Sequence, residues 1–429
     1  MGTSTPDSGD QNPTSPVANS GDTESTDTTT SRLKHAPRRT AILGAMFLMA
    51  TSAIGPGFLT QTSVFTAQMG AAFAFAIFIS ILLDIAIQLN VWRVLGISGL
   101  RANELGNTVV PYLGWVMAAF VFTGGAVFNI GNIAGTGLGL NAMIGLDPRI
   151  GGAISALVAI FIFMSRKAGL ALDRIVVGLG AIMILLMLYV AIVSSPPVGE
   201  ALRNTVLPDE VDFLVITTLI GGTVGGYITF AGAHRMIDNK ITGPENLKEI
   251  TQGSVLGIVV TGIMRALLFL AVLGVVSTGV TLSQDNTAAD AFYNAAGEIG
   301  LRLFGVVLWA AGLTSVIGAS YTSITFVTTQ NTAPRVRTML TVAFITVCAA
   351  IFVTLNAAPQ ALLIFAGAFN GLILPIGFAI VLWVAWRRTD LLKGYRYPKW
   401  LLVIGALAWV LTVFLGYKSF SGIAALWGM

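Results

Sequence analysis

Apolar stretches long enough to cross the roughly 30 Å hydrocarbon core of a bilayer begin near residues 41, 70, 113, 151, 174, 211, 251, 302, 336, 360 and 400 of this 429-residue chain. They predict eleven transmembrane helices, here called spans 1 to 11. The expected protein is therefore an all-α integral membrane protein, with a membrane domain over 41–419 and a short C-terminal end at 420–429. Ahead of it, residues 1–31 are Ser, Thr, Asp, Gly and Pro with almost no aliphatic side chains, and such a composition cannot bury enough apolar surface to offset the entropy of ordering. That tail is expected to be disordered. The basic cluster Arg32, Lys34, Arg38 and Arg39 makes 32–40 a juxtamembrane segment. The tail lacks the short charged start and apolar stretch of a secretory signal, so the first span is expected to remain as an uncleaved insertion signal.

Composition agrees with this pattern and narrows the function. Only 10% of residues are charged and 55% are hydrophobic, with a mean hydropathy of +0.81, against roughly 25% charged in soluble proteins. An ordinary cytosolic enzyme is excluded. The formal net charge of +4 is scattered over short loops and not gathered in a patch, so nucleic acid is not an expected partner. Placing the N-terminus in the cytoplasm and the C-terminus outside puts 19 of the 24 Lys and Arg residues on the cytoplasmic side, as membrane insertion favours. Only Arg149, Arg203, Arg302 and Lys418 face the other way, and Arg265 lies within a span. The single Cys348 can build neither a disulfide framework nor a cysteine metal site. The expected setting is a bacterial plasma membrane.

Glycine, 48 residues of 429, marks where spans approach closely or break. Span 1 carries Gly55-Pro56-Gly57-Phe58, and span 6 carries Gly221-Gly222-Thr223-Val224-Gly225-Gly226-Tyr227. A proline between glycines, or two glycine pairs at mid-membrane, lowers the cost of leaving the helix. The two breaks lie five spans apart. An odd repeat length inverts the second copy, which predicts an inverted five-plus-five repeat with span 11 appended. Lipid offers no hydrogen bonds, so unwound backbone at mid-membrane survives only inside protein or beside a polar cavity. Its free N–H groups and carbonyls can there hold an anion, a cation or a solute with both characters. The expected substrate pocket comprises Gly55, Pro56, Gly57, Phe58, Thr60, Gln61, Asn129, Asn132, Gly225, Gly226, Tyr227 and Thr229.

Two stretches carry a family resemblance. One is Asn129-Ile130-Gly131-Asn132-Ile133-Ala134-Gly135-Thr136 in span 3, followed by Leu140-Asn141 and Gly145-Leu146. The other runs from Gln88 through Arg93 to Ser98-Gly99 and Glu104-Leu105. From about 40 to 420 the chain resembles the natural resistance-associated macrophage protein (NRAMP) transporters. The resemblance implies the inverted-repeat fold of the leucine transporter and transport of divalent transition metals with protons.

The departures bear on substrate. Where the family has Asp-Pro-Gly-Asn in span 1, with Asp and Asn ligating metal, this chain has Gly55-Pro56-Gly57-Phe58. Where the family has Met-Pro-His in span 6, Thr229-Phe230-Ala231 stands here, with His234 three residues on. The family's acidic pair in span 3 is here Asn129 and Asn132, and amides cannot relay protons by titrating. A dehydrated dication needs several ligands with compensating negative charge, and these neutral side chains supply none. The expected function is secondary transport by alternating access, of a small carboxylate or amino-acid-like solute. The alternatives are a partly hydrated magnesium or manganese ion, as in the family, and a membrane sensor that binds solute without moving it. Partners are thus a small molecule or ion, the lipid bilayer, and a coupling proton or sodium ion. No P-loop is present, no enzymatic activity is implied, and no cofactor or resident metal is expected.

Charges inside spans are functional candidates by default. Asp84 in span 2 and Arg265 in span 7 form either a structural ion pair or a coupling group and an anion site. His234 is either a cytoplasmic anchor or a proton-sensitive gate. Asn370-Gly371 with Pro375 either interrupts span 10 beside the pocket or merely kinks it.

Overall fold

In the computed structural model the described residues are 1–2, 53–329, 332–355 and 357–427. The expected disordered tail, the basic segment and the first part of span 1 lie outside them. The described chain is helical, with no strand among its elements. Helix α1 (Pro56–Met69) turns at Gly70 into α2 (Phe73–Ser98), and the short α3 (Ala102–Val109) leads into α4 (Leu113–Ile144). Then come α5 (Pro148–Met164), α6 (Arg166–Ser194) and the short α7 (Val198–Val206). The second half runs through α8 (Phe213–Thr223), α9 (Ile228–Asp238), α10 (Leu247–Ser277) and α11 (Thr287–Val327), then α12 (Pro334–Thr354), α13 (Pro359–Arg387) and α14 (Lys399–Trp427).

The ends follow local chemistry. Proline occupies the first turn of α1, α5, α12 and α13, where its missing N–H is an orphan in any case. Asp147 and Asp212 cap α5 and α8 by accepting first-turn amides. Gly99 and Gly145 end α2 and α4 in the left-handed conformation.

Eight helical stretches among the described residues are long and apolar enough to cross a membrane. They become nine when Gly178–Ser194 and Val198–Val206, bent by 108°, count as one span. Eleven full-length spans are therefore not separately seen. Span 1 starts before the described residues and continues into span 2 as one stretch, Pro56–Ser98, while α5 is a shorter apolar helix. Span 10 is continuous as α13, so Asn370-Gly371 with Pro375 does not interrupt it. Leu157, Phe161, Val347, Val403 and Leu407 stand exposed on the outer faces of α5, α12 and α14, the surface a bilayer would cover.

The α4–α11 pair, spans 3 and 8, forms the most extensive helix contact of the bundle. It is a seam of small residues in which backbone meets backbone. A Cβ on Gly139 would lie 2.6 Å from the Trp309 amide nitrogen, and one on Gly305 would lie 2.7 Å from that of Met143. Association in lipid rests on this closeness because burying apolar groups against one another gains little there. Gly139→Ala is expected to force the helices apart and destabilise the protein by about 1–3 kcal/mol, read as a lower thermal midpoint in detergent. An unchanged midpoint would show that the seam yields without cost.

Candidate functional site

The span 6 break is present, and the described part of span 1 begins its helix only after Gly55. Gly55 is extended (φ −101°, ψ −172°) immediately before Pro56 starts α1. Span 6 stops at Thr223 and resumes at Ile228, and the turn between them needs Gly226 at φ 52°. Among the described residues no backbone hydrogen bond reaches the amides of Gly226 or Tyr227, so both remain available as donors. The first-turn amides of α1 are equally without helical partners by construction.

Side chains from four elements converge on these breaks. Gln61 of α1 donates from Nε2 to the Leu363 carbonyl of α13 at 3.0 Å, while its Oε1 is buried without a partner. Its amide lies between Gly222 and Gly367, both in contact distance of a Cβ placed there, so larger residues would exclude it. Asn370 of α13 donates to Gly124 and Ala366 carbonyls at 3.0 and 2.8 Å and leaves Oδ1 unpartnered against Gly226. Tyr227 is fully buried, its ring edge-on to Phe128 with centroids 5.6 Å apart. Its hydroxyl faces the Asn132 side chain, although neither group makes a hydrogen bond of normal geometry. Buried polar groups are almost always satisfied by protein or water, and here Gln61, Asn132, Tyr227 and Asn370 gather unsatisfied polar atoms around the span 6 break and the start of α1. Pro56 packs against Gly135 and Gly312 and pins the start of α1. At Gly55 a Cβ would lie 2.5 Å from Ser315 Oγ and 3.5 Å from Asn132 Oδ1.

Other candidates sit elsewhere. The Thr229 hydroxyl donates to Gln88 Oε1 at 2.8 Å, and Trp92 donates to the Thr229 carbonyl at 2.9 Å, so Thr229 fastens α9 to α2. Asn129, one turn before Asn132, donates to Ser320 at 3.1 Å on the α4–α11 seam and keeps its buried Oδ1 unpartnered. Gly225 packs against the backbone of Gly221, and Thr60 is buried within α1. Phe58 has the Arg265 guanidinium 4.5 Å above its ring. Asp84 is 1% and Arg265 2% exposed, yet no salt bridge joins them; Arg265 acts on Asp84 at longer range, and the Thr223 hydroxyl lies beside the carboxyl. The two intramembrane charges thus border the two breaks. An apolar groove of about 520 Å³ lined by Trp383, Trp386 and Trp409 lies between α13 and α14 and shares no residue with this centre.

One end of the bundle is tied shut by residues the expected pocket did not include. Arg101, fully buried between α2 and α3, donates to Asp238 Oδ1 at 2.6 Å and to the Thr325 and Thr328 carbonyls at 3.4 and 3.3 Å. The Tyr321 hydroxyl donates to Asp238 Oδ2 at 2.7 Å. His234 accepts the Ala102 amide at Nε2 (3.2 Å) and meets Thr325 Oγ1 through Nδ1 at 2.9 Å. A neutral ring with its proton on Nδ1 satisfies both contacts. His234 therefore anchors this end, with both ring nitrogens occupied. The sequence signal for Asn370 was its Asn-Gly pair within an apolar span. For Arg101 there was only a loop charge, since its burial depends on α9 and α11 closing over it.

A bundle whose first and sixth spans break around a common polar centre is a transporter fold of the leucine-transporter type. Solved structures bear out the fold. A manganese transporter of Eremococcus coleocola superposes with a TM-score of 0.70 at 17% identity, covering 94% of this chain and 89% of that one. MhsT in complex with L-phenylalanine gives 0.63 at 15% identity, covering 88% and 98%. The family model for natural resistance-associated macrophage protein-like chains matches residues 46–421. The chain is 49% identical to an uncharacterized membrane protein of Haemophilus influenzae, over 89% of this chain and 96% of that one. It is 46% identical to the Bacillus subtilis membrane protein YcsG, over 92% and 98%. It is 23% identical to the Brucella suis divalent metal cation transporter MntH, over 66% and 65%. The chain belongs to the NRAMP family; it is a membrane transporter and not an enzyme.

Asp238→Asn removes the charge facing Arg101. Because Asp238 is 21% exposed, the cost should fall below that of a fully buried pair, on the order of 1–3 kcal/mol. Hydrogen exchange is expected to quicken at Ala102 and in the last turn of α9 while α13 keeps its protection. Equal exchange in the two proteins would show that the pair does not hold this end.

Proposed function

We propose that this NRAMP-family protein is a secondary transporter of a small polar organic solute bearing a carboxylate or an amino-acid-like head. The observation that carries this reading is the chemistry between the breaks. Gln61, Asn132, Tyr227 and Asn370 offer neutral donors and acceptors with unpartnered buried atoms. The positions where a metal-transporting relative would have Asp, Asn and Met hold Gly55, Phe58 and Thr229. Among the described residues no group of three His, Cys, Asp or Glu is placed to hold a metal ion. Stripping water from a dication requires anionic or soft ligands, whereas an organic solute needs only matched hydrogen bonds and an apolar wall. Phe128 and Tyr227 form such a wall, and MhsT, of the same fold, is solved with an amino acid bound.

Alternating access would open the pocket in turn to each side. The loops richest in Lys and Arg belong to the end held by Arg101 and Asp238, which supports that end as cytoplasmic, with the N-terminus inside and the C-terminus outside. A second reading keeps a divalent cation, magnesium or manganese with part of its water shell, bound through hydroxyls and carbonyls. The metal-transport names of MntH and the Eremococcus protein favour it.

Proteoliposomes of the purified full chain decide between these readings. Uptake of ¹⁴C-labelled carboxylates or amino acids is expected, with Gln61→Leu lowering it at least tenfold, roughly 1.4 kcal/mol. Manganese uptake at micromolar concentration with no organic flux would sink the proposal in favour of the cation.

A further inference from the structure

Asp84 and Arg265 are each almost fully buried, yet they do not behave as a finished ion pair. No salt bridge joins them, and Asp84 Oδ1, Arg265 Nε and Arg265 Nη2 have no hydrogen-bond partner of normal geometry, the Thr223 hydroxyl being the group beside the carboxyl. A structural pair in lipid would be expected to close this gap, because an unpaired buried charge is costly. Nε and Nη2 are the two donors along one edge of the guanidinium, the fork that holds a carboxylate through two parallel hydrogen bonds. The plane is steadied by Phe58, whose ring lies 4.5 Å from Arg265 Cζ in the first turn of α1. Asp84 lies beside Thr223, the last residue of α8. The charged pair thus touches both breaks.

We propose that the Arg265 fork binds the carboxylate of the transported solute while Asp84 takes up one proton, making the protein a proton–carboxylate symporter. This rests on the organic-solute reading above. With the site empty, the Asp84 carboxylate is the countercharge of Arg265. An arriving carboxylate replaces it in that role, and a proton from water joins the Asp84 carboxylate as a new O–H bond. No bond to carbon forms or breaks, and the net charge of the site is the same before and after loading. The two events assist each other: a bound anion beside Asp84 favours its protonated form, and a neutral Asp84 frees Arg265 for the anion. Linkage makes the factor the same in both directions.

Among the described residues no other titratable group competes for this role. Helices α1 and α8 carry no titratable side chain. On α9, His234, Arg235 and Asp238 fall in the half of the helix tied to Arg101 and Ala102, and on α10, Lys248 and Glu249 fall in the first turn. On α2, Arg93 bonds Thr251. Glu200 and Arg203 on α7, Arg387 on α13, and Lys399, Tyr417 and Lys418 on α14 lie toward helix ends or outer faces. Among all of them Arg265 alone acts on Asp84.

Binding of ¹⁴C-pyruvate and ¹⁴C-L-alanine to the full-length protein, measured from pH 5.5 to 8.5, tests this. In the wild type, carboxylate affinity should weaken up to tenfold per pH unit across the coupled titration, as one proton per anion requires. In Asp84→Asn it should be flat with pH, and that variant should lose accumulation driven by an outside-acid gradient. Arg265→Gln should lose at least tenfold in affinity, with partial recovery in Arg265→Lys. The Lys variant, together with an infrared band of protonated carboxyl that rises on adding pyruvate and is missing in Asp84→Asn, keeps the test decisive if Arg265→Gln misfolds. A pH-dependent affinity that survives in Asp84→Asn, or equal affinity in Arg265→Gln and wild type, overturns the inference. So does a lack of binding of either probe at millimolar concentration. Organic uptake that ignores Arg265 overturns it while leaving the proposed function standing, whereas flux of manganese alone removes both.

Discussion

Backbone hydrogen bonding in a medium without water is the constraint from which the rest of this molecule follows. A helix may leave its own ladder at mid-membrane only where other protein groups or a polar guest take up the freed N–H and C=O groups. The chain does so twice, at Gly55 and at Val224–Tyr227, and wraps both places in amides and hydroxyls contributed by α1, α4 and α13. The close α4–α11 seam, with Pro56 set against Gly135 and Gly312, holds the first break in place. Rigid scaffold and irregular centre are therefore two consequences of one rule.

Within this frame the chemistry divides between two neighbouring side chains of α1, Phe58 and Gln61, three residues apart. Gln61 meets α8 and α13, where uncharged groups predominate. Phe58 meets α10, where Arg265 covers its ring and Asp84 stands nearby. In a family that includes metal transporters, this arrangement moves charge from the helix-break residues themselves to a pair beside them. On the proposed reading, the planar guanidinium of Arg265 would favour an anion once Asp84 is neutral.

The end where Arg101 meets Asp238 adds the element that alternating access requires, a closure made of a few directional bonds. Arg101 reaches α9 through Asp238 and α11 through the Thr325 and Thr328 carbonyls, and His234 ties α9 to the start of α3. Such contacts can form in one state and be absent in another without disturbing the apolar packing around them. The helices they join include α9, the second half of the broken span 6, which on the proposed reading would link opening of this end to the centre.

Much of this was legible in the chain itself. Apolar run length specified an all-helical membrane protein, and glycine with proline specified where two spans break, because hydrophobicity and backbone freedom are local properties. The replacement of acidic and thioether side chains by Gly55, Phe58 and Thr229 was equally plain from residue identity. What tertiary structure alone decided was which polar side chains face the centre. Thr229 looked like a pocket residue but is held by Gln88, while Asn129 and Asn370, the second in a span of undecided continuity, each keep an unpartnered buried oxygen, that of Asn370 toward Gly226. The facing of a side chain depends on how neighbouring helices rotate and which distant donor reaches it first. Residues hundreds of positions apart settle that, and no local pattern encodes it.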